Sequence, residues 1–160
     1  PRKGIKVKDI NREDIEELFD IRLMIESYYL KQILANFQKD ADMRKKLAAN
    51  LSEHASIIEN TGDLDTYLRI YYLDQEFHQM IIKCSGNKKI IQIYNNLRTH
   101  DYAYYIYRRQ TREENIAGVD EHRAIYDALV AQNQAELRKC IKTHIINARK
   151  KINKYLQPVQ

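Results

Sequence analysis

Tryptophan is absent from this chain of 160 residues, and glycine (4), proline (2) and cysteine (2) are scarce. So few glycines and prolines leave little of the turn chemistry that a protein built from β-hairpins requires. Two cysteines cannot supply the set of disulfides that holds small secreted domains together. The sequence also lacks a run of 18 apolar residues and a signal-peptide pattern. We therefore expect a soluble cytoplasmic protein that makes no membrane contact.

Charge of one sign is not concentrated anywhere either. The net charge is +5, and the basic residues are scattered as on a solvated surface. This pattern does not favour a nucleic-acid-binding face within the chain. What is abundant is leucine, isoleucine, alanine, lysine, glutamate, glutamine and arginine, which are residues of good or fair helix propensity. Length and composition together predict one all-α domain that is large enough to bury a core.

Apolar residues recur every three or four positions along most of the chain, which is typical of amphipathic helices. Gly62 and Gly86 mark two helix ends, while Asn133 with Glu136 marks a helix start and Pro158 a helix end. About six helices are predicted, arranged as an antiparallel bundle. They cover approximately residues 11–37, 40–62, 63–85, 88–110, 119–131 and 133–157, with residues 111–118 predicted as a loop.

One carboxylate and three imidazoles fall within the apolar stripes of these predicted helices. Asp74 and His78 are four residues apart, so they lie on one face of a helix, one turn apart. His122 and His144 belong to two later helices. A charged or titratable group on a core face is costly unless something satisfies it. If the four side chains converge, they form a divalent-metal site. The alternative is a polar cluster of Asp–His pairs without metal.

Three nitrogen donors and one oxygen donor suit zinc or nickel, and also manganese or iron, better than calcium or magnesium. An imidazole ligand must be held by its other ring nitrogen, so we expect partners such as Glu76, Glu121, Asn147 or a tyrosine hydroxyl. The two remaining histidines, His54 and His100, have polar neighbours in the sequence. Both are predicted to lie on the surface.

Arginine also occurs on a core-facing stripe. Arg22 is in register with Leu18, Ile25 and Tyr29 on the first predicted helix. One interpretation is a structural arginine paired with Glu26, four residues further on. The other is a guanidinium that points into a cavity and grips the carboxylate of a ligand through two parallel hydrogen bonds.

Arg98, on the fourth predicted helix, is a weaker candidate for the same role.

The order of these motifs resembles a known family. The matching segments are Arg22-x-x-x-Glu26, Asp74-x-x-Phe77-His78-x-x-Ile81, Asn87, Glu121-His122-x-x-Ile125 and His144-Ile145. Together they are similar to the FCD domain, the helical ligand-binding domain of FadR-type GntR transcription regulators. The resemblance covers approximately residues 11–156. It implies a metal held by Asp74, His78, His122 and His144, and an effector, commonly a carboxylate or sugar acid, bound beside or on that metal.

The resemblance also implies a domain organisation and a function. Residues 1–10 are expected to be the remnant of the wing and linker of an N-terminal winged-helix domain, and residues 11–160 the effector-binding and dimerisation domain. A homodimer would then control DNA binding by the winged helix, which this sequence does not include. An alternative function is a helical metalloenzyme, a hydrolase or an oxygenase, that uses the same Asp/His site. A second alternative is a helical interaction module with a structural metal.

Overall fold

A computed structural model describes residues 12–59, 64–97 and 109–156 of the chain. These residues form an all-α bundle of seven helices, and the described part contains no strand. The helices are α1 (Arg12–Tyr28), α2 (Leu30–Lys39), α3 (Ala41–Glu59), α4 (Leu64–Lys83), α5 (Lys88–Leu97), α6 (Arg112–Val130) and α7 (Gln134–Tyr155). The predicted all-α bundle is confirmed, with one helix more than the six expected. None of the described helices combines the length and apolar character needed to cross a lipid bilayer.

The order of helix packing determines where a site can lie. Helix α7 packs against α1 and α6, α6 packs against α3, and α3 packs against α4. Helix α5 closes the arrangement by packing against α4 and α1. The apolar stripes meet in a main core that includes Phe19, Phe37 and Phe77, all of which are almost fully buried. Six helices, α1–α4, α6 and α7, therefore surround a common interior.

The first predicted helix is in fact two helices. It breaks at Tyr29, although the sequence has neither glycine nor proline there. Two contacts from distant parts of the chain accompany the break. Arg138 of α7 donates to the carbonyl of Ser27 at 3.2 Å, and Asn87 donates to the Tyr29 hydroxyl at 3.0 Å. A side chain that takes a carbonyl from the last turn of a helix competes with continuation of that helix, so the break has a tertiary cause.

The predicted loop at residues 111–118 is wrong, because α6 begins at Arg112 and runs through Gly118. Thr111 caps this helix. The amide of Glu114 donates to the Thr111 hydroxyl at 3.2 Å, and the amide of Thr111 donates to the Glu114 carboxylate at 3.0 Å. Such a reciprocal capping box satisfies two backbone donors that the first turn leaves open. The Thr-x-x-Glu pattern of Thr111 and Glu114 is a helix-start signal in the sequence, and Gly118 lies inside the helix that follows it.

Candidate metal centre

Four side chains from three helices meet in the interior of the bundle. Asp74 and His78 lie on adjacent turns of α4, His122 lies in the middle of α6, and His144 lies in the middle of α7. All four are buried. Each offers one donor atom, and these four atoms lie within 4.8 Å of one another. The structure therefore brings together all four residues that the sequence analysis selected.

Three separations between donor atoms match those expected in a coordination sphere. His78 Nε2 lies 3.1 Å from His144 Nε2 and 3.2 Å from His122 Nε2. His122 Nε2 lies 3.4 Å from an Asp74 carboxylate oxygen. Ligand atoms about 2.1 Å from a metal are roughly 3.0 Å apart at right angles and roughly 3.4 Å apart at the tetrahedral angle. The observed distances fall in that range.

A buried acid, Glu26 of α1, binds His78 at Nδ1, the ring nitrogen that is not a donor to the cluster. A Glu26 carboxylate oxygen lies 3.0 Å from His78 Nδ1, and the other oxygen accepts from Arg22 Nε at 2.5 Å and from the Tyr94 hydroxyl at 2.8 Å. Burial opposes ionisation of Glu26, but Arg22 and His78 outweigh it and hold the pKa of this carboxyl well below its usual range. An ionised carboxylate can only accept, so His78 Nδ1 carries the hydrogen.

His144 is held in the same way by Glu121 of α6. A Glu121 oxygen lies 2.9 Å from His144 Nδ1, and the other accepts from the Asn147 side chain at 2.7 Å. Burial raises the pKa of Glu121, but the hydrogen bond from His144 and its charge outweigh it, so the net pKa is lowered. Glu121 and Asn147 were both expected as partners of the ligands, and Glu121 does fix the ring of His144.

With the hydrogen on Nδ1, the Nε2 lone pairs of His78 and His144 face the cluster, and a cation would stabilise them. Because Nδ1 of His78 and of His144 donates to a carboxylate, the two Nε2 atoms face each other across 3.1 Å, where a metal ion would accept their lone pairs. Burial, reinforced by the charge of Arg22, lowers the pKa of His78 to about 3 against the pull of Glu26. Burial and the neighbouring His144 and His78 also lower the pKa of His122 well below its usual value. The donor set thus fits a divalent metal, which would bind all three lone pairs and the Asp74 carboxylate.

Beside the cluster lies a cavity of about 40 Å³ between α1, α3, α6 and α7. Arg22, His54, Asn115, Asp74, His122 and His144 supply much of its polar lining. Arg22 is 3% exposed, and its Nη2 has no hydrogen-bond partner, although its Nε is bound to Glu26. The bond to Glu26 agrees with the structural interpretation of Arg22. The interpretation of Arg22 as a ligand-binding group stays a prediction.

Comparison with known proteins places the chain in a family. The family model of the FCD domain matches residues 17–147, which is most of the chain. The chain belongs to the FCD family. The resemblance to the FCD domain of GntR-type regulators, drawn from the arginine, aspartate and histidine motifs, is confirmed. No protein of curated function matches the sequence.

Two solved structures share the FCD fold with this protein at low sequence identity. McbR/YncC of E. coli superposes with a TM-score of 0.83 at 16% identity, covering 98% of this chain and 72% of that one. The metal-free FCD domain of TM0439, a protein assigned as a transcriptional regulator, gives a TM-score of 0.72 at 16% identity. That match covers 93% of this chain and 98% of the other. At such identities the likeness shows the fold alone.

The structure tests several predictions about individual residues of this FCD domain. His54, predicted on the surface, is 2% exposed and lines the cavity, so that prediction is wrong. Burial lowers its pKa to about 4, although Asp74 opposes the shift. Glu76 is not a partner of the ligands, because it lies near Arg69 on the exposed face of α4. Arg98 and His100 lie outside the described residues.

Three features of the FCD site were not predicted from the sequence. The Arg22–Glu26 motif gave no sign that Glu26 also reaches His78, since that contact joins α1 to α4. Asn115 falls within the predicted loop at residues 111–118, although the capping box of Thr111 and Glu114 indicates that it lies on a helix. The polar neighbours Ser52 and Glu53 favour a surface position for His54. Its spacing from the apolar stripe of Leu47, Leu51 and Ile58 instead places it on the buried face of α3.

Proposed function

We propose that this FCD domain is the metal-dependent effector sensor of a GntR-type transcription regulator. The observation that carries this proposal is the buried cluster of Asp74, His78, His122 and His144 beside a cavity with an arginine in its wall. Asp74 and the three histidines would hold one divalent transition ion, with zinc or nickel favoured and manganese or iron as alternatives. When bound, the ion would supply a Lewis-acidic centre facing the cavity, where the oxygen atoms of a ligand bind.

The effector in this proposal is a small carboxylate or sugar acid. Arg22 supports it, because burial of a guanidinium with an unpaired nitrogen is costly until an acceptor reaches that nitrogen. A carboxylate that binds Arg22 gains a charge-assisted hydrogen bond within a cavity that excludes most solvent. Four protein ligands leave an octahedral ion two further positions, which oxygens of the same acid would occupy.

The state of the nearby acids favours a sensor over a metalloenzyme. A hydrolase that used one of these acids as its general base would need a carboxylate that is free to move a proton. Glu26 already accepts hydrogen bonds from Arg22 and Tyr94 and lies against His78, and Glu121 is bound by His144 and Asn147. Both acids are thus engaged in holding the ligands in place.

We propose that the regulator acts in the cytoplasm and reads DNA through a winged-helix domain that precedes residues 11–160.

Arg22→Lys is expected to weaken binding of a small carboxylate by about tenfold, because lysine keeps the charge but cannot hold Glu26 and the ligand at once. Calorimetric titration of the metal-loaded protein with propionate measures this change. Removal of the metal with a chelator should weaken binding too, and by linkage the acid should tighten the metal by the same factor.

The matched control is Arg69→Lys, which changes an exposed arginine that binds Glu53 on the outer face of α3 and α4. It is expected to bind propionate as the wild type does. Equal binding by the wild type, the Arg22→Lys variant and the chelated protein would refute both the metal-bound pose and the role of Arg22. Conversion of the acid to a product would instead favour an enzyme.

We also propose that the domain is a symmetric homodimer, as a regulator that reads two half-sites requires. Neighbouring helices support this, since α1 exposes Met24 and Tyr28 and α5 exposes Ile93. Large apolar side chains exposed in this way are typical of an interface. Sedimentation should therefore report a dimer at micromolar concentrations, and Met24→Glu should shift it toward monomer. A monomeric wild type would contradict the dimer.

A further inference from the structure

We infer that Tyr94 of α5 is a positioning residue for the candidate metal centre, because its hydroxyl group holds Glu26 and Glu26 holds the ring of His78. This inference rests on the proposed metal-dependent function and adds a residue that lies one contact beyond the partners of the ligands. Helix α5 supplies none of the four cluster residues. The inference therefore couples the packing of a helix outside the cluster to the affinity of the cluster for metal.

The contacts form an unbroken chain through the interior. The Tyr94 hydroxyl donates to Glu26 Oε1 at 2.8 Å, and Glu26 Oε2 lies 3.0 Å from His78 Nδ1. All three side chains are almost fully buried, so water cannot readily replace a lost partner. Burial and the charge of Glu26 raise the pKa of Tyr94 well above its usual value. The phenol therefore keeps its hydrogen and remains the donor.

Arg22 alone does not explain how Glu26 is oriented. Arg22 Nε binds the same oxygen, Oε1, at 2.5 Å, but Arg22 and Glu26 are neighbours on α1, four residues apart. The last torsion of a glutamate side chain is broad and nearly two-fold, so a single contact leaves the plane of the carboxylate loosely defined. Tyr94 approaches Oε1 from another helix. Two donors from two helices restrain the carboxylate plane, and with it the direction of Oε2 toward His78.

Tyr94 also anchors α5 to the rest of the protein. Among the described residues of α5 it is the only buried one. It belongs with Ile25 of α1 and Ile82 of α4 to a small apolar cluster that is separate from the main core. A helix held by a small satellite cluster opens more readily than the central helices do. The same side chain thus sets the position of α5 and restrains Glu26, so a change at one is felt at the other.

The coupling runs in both directions by thermodynamic linkage. Occupancy of the cluster would make Nδ1–H of His78 a stronger donor to Glu26, which stabilises α5 against opening. Loss of the Tyr94 hydroxyl would loosen the ring of His78 and weaken metal binding. The expected loss is about fivefold, the effect of one hydrogen bond, and is smaller than the roughly 10- to 100-fold effect of a partner that contacts the ligand itself. Because α5 exposes Ile93 on the face proposed for the dimer, this coupling links the interior cluster to that face.

The first measurement is zinc affinity, obtained by competition with a chromophoric chelator. Tyr94→Phe keeps the ring and removes only the hydroxyl, so zinc should bind about fivefold more weakly than to the wild type. Tyr155→Phe is the matched control, because its hydroxyl also donates to a glutamate, Glu114, which lies outside the chain of contacts to His78. This variant should keep the wild-type affinity. A Glu26 carboxylate that merely became more basic would tighten zinc binding, so tighter or unchanged binding by Tyr94→Phe overturns the inference.

The second measurement identifies the ring that responds. The Nδ1 hydrogen of His78 faces Glu26, and that of His144 faces Glu121, so the zinc-loaded protein should give two downfield proton resonances. Tyr94→Phe should shift the resonance of His78 and leave that of His144 in place. Equal shifts of both resonances would indicate a general loosening of the fold and would overturn the positioning role.

Amide hydrogen exchange of the wild type tests the coupling without any variant. Zinc should slow exchange in α5 as well as in α4, α6 and α7, which carry the cluster residues. Slowing in those three helices without slowing in α5 overturns this inference alone and leaves the proposed function standing. A wild-type protein that binds no zinc overturns the proposed function and this inference with it.

Discussion

Changing His144 to alanine is expected to abolish most metal binding, from about one divalent ion per chain to a small fraction of that. The reason is geometric and chemical. His144 Nε2 lies 3.1 Å from His78 Nε2, and its removal takes one of three nitrogen donors from a buried set of four. His122→Ala should have the same effect. The measurement is elemental analysis of protein purified without a chelator, in which zinc or nickel is the expected ion.

Three further variants serve as comparisons for this result. Glu121→Gln keeps all four ligands but weakens the acceptor that fixes the His144 ring, so metal affinity should fall about 10- to 100-fold without being abolished. Glu76→Gln changes an exposed acid on the same helix as Asp74 and His78, and should leave occupancy unchanged. His54→Ala should also retain metal, because His54 is not one of the four converging residues. Equal occupancy in the His144→Ala, Glu76→Gln and wild-type proteins would rule out this site.

Glu26→Leu is expected to lower the free energy of unfolding by about 3–5 kcal/mol, the usual cost of leaving one partner of a buried ion pair alone. Glu26 is 1% exposed and is shared by Arg22, His78 and Tyr94. Its loss leaves a buried guanidinium without its acid and a buried hydroxyl without its acceptor. Urea unfolding in the presence of chelator measures this change separately from any contribution of bound metal.

A double-mutant cycle separates the interaction energy of Arg22 and Glu26 from the contribution of their packing. Arg22→Met together with Glu26→Leu removes both charges, so the double variant should lose much less stability than the sum of the single variants. The control is Glu53→Gln, which breaks the exposed pair with Arg69, and should cost less than about 1 kcal/mol. The idea of a coupled buried pair would be untenable if Glu26→Leu and Glu53→Gln cost the same.

The four cluster residues could be selected from the sequence because the information about them is local. Asp74 and His78 are one helical turn apart, and each histidine lies in an apolar stripe whose period shows which face is buried. A titratable group in such a stripe must find partners inside the protein. That these residues bind a metal stays a prediction, whereas their convergence is a property of the fold.

Two features that the sequence did not predict have a different origin, because they depend on residues far apart in the chain. The break at Tyr29 accompanies contacts with Arg138 and Asn87, which no local pattern of α1 contains. The bond between Glu26 and His78 joins residues 52 positions apart. The errors at residues 111–118 and at His54 are of another kind, because a local signal was available for each: the capping box at Thr111, and the spacing of His54 from the apolar stripe of α3.

By itself, the sequence determined the helical class, the stripes and the chemistry offered by Arg22, Asp74 and the three cluster histidines, since helical periodicity assigns a face to every residue. Only the tertiary structure decided which faces meet. It placed Asn115 and His54 in the wall of the cavity beside Arg22, and gave Glu26 to His78 and Glu121 to His144 as partners. Such choices depend on how the helices pack, because hydrogen bonds and ion pairs form only between groups a few ångströms apart, wherever those groups lie in the chain.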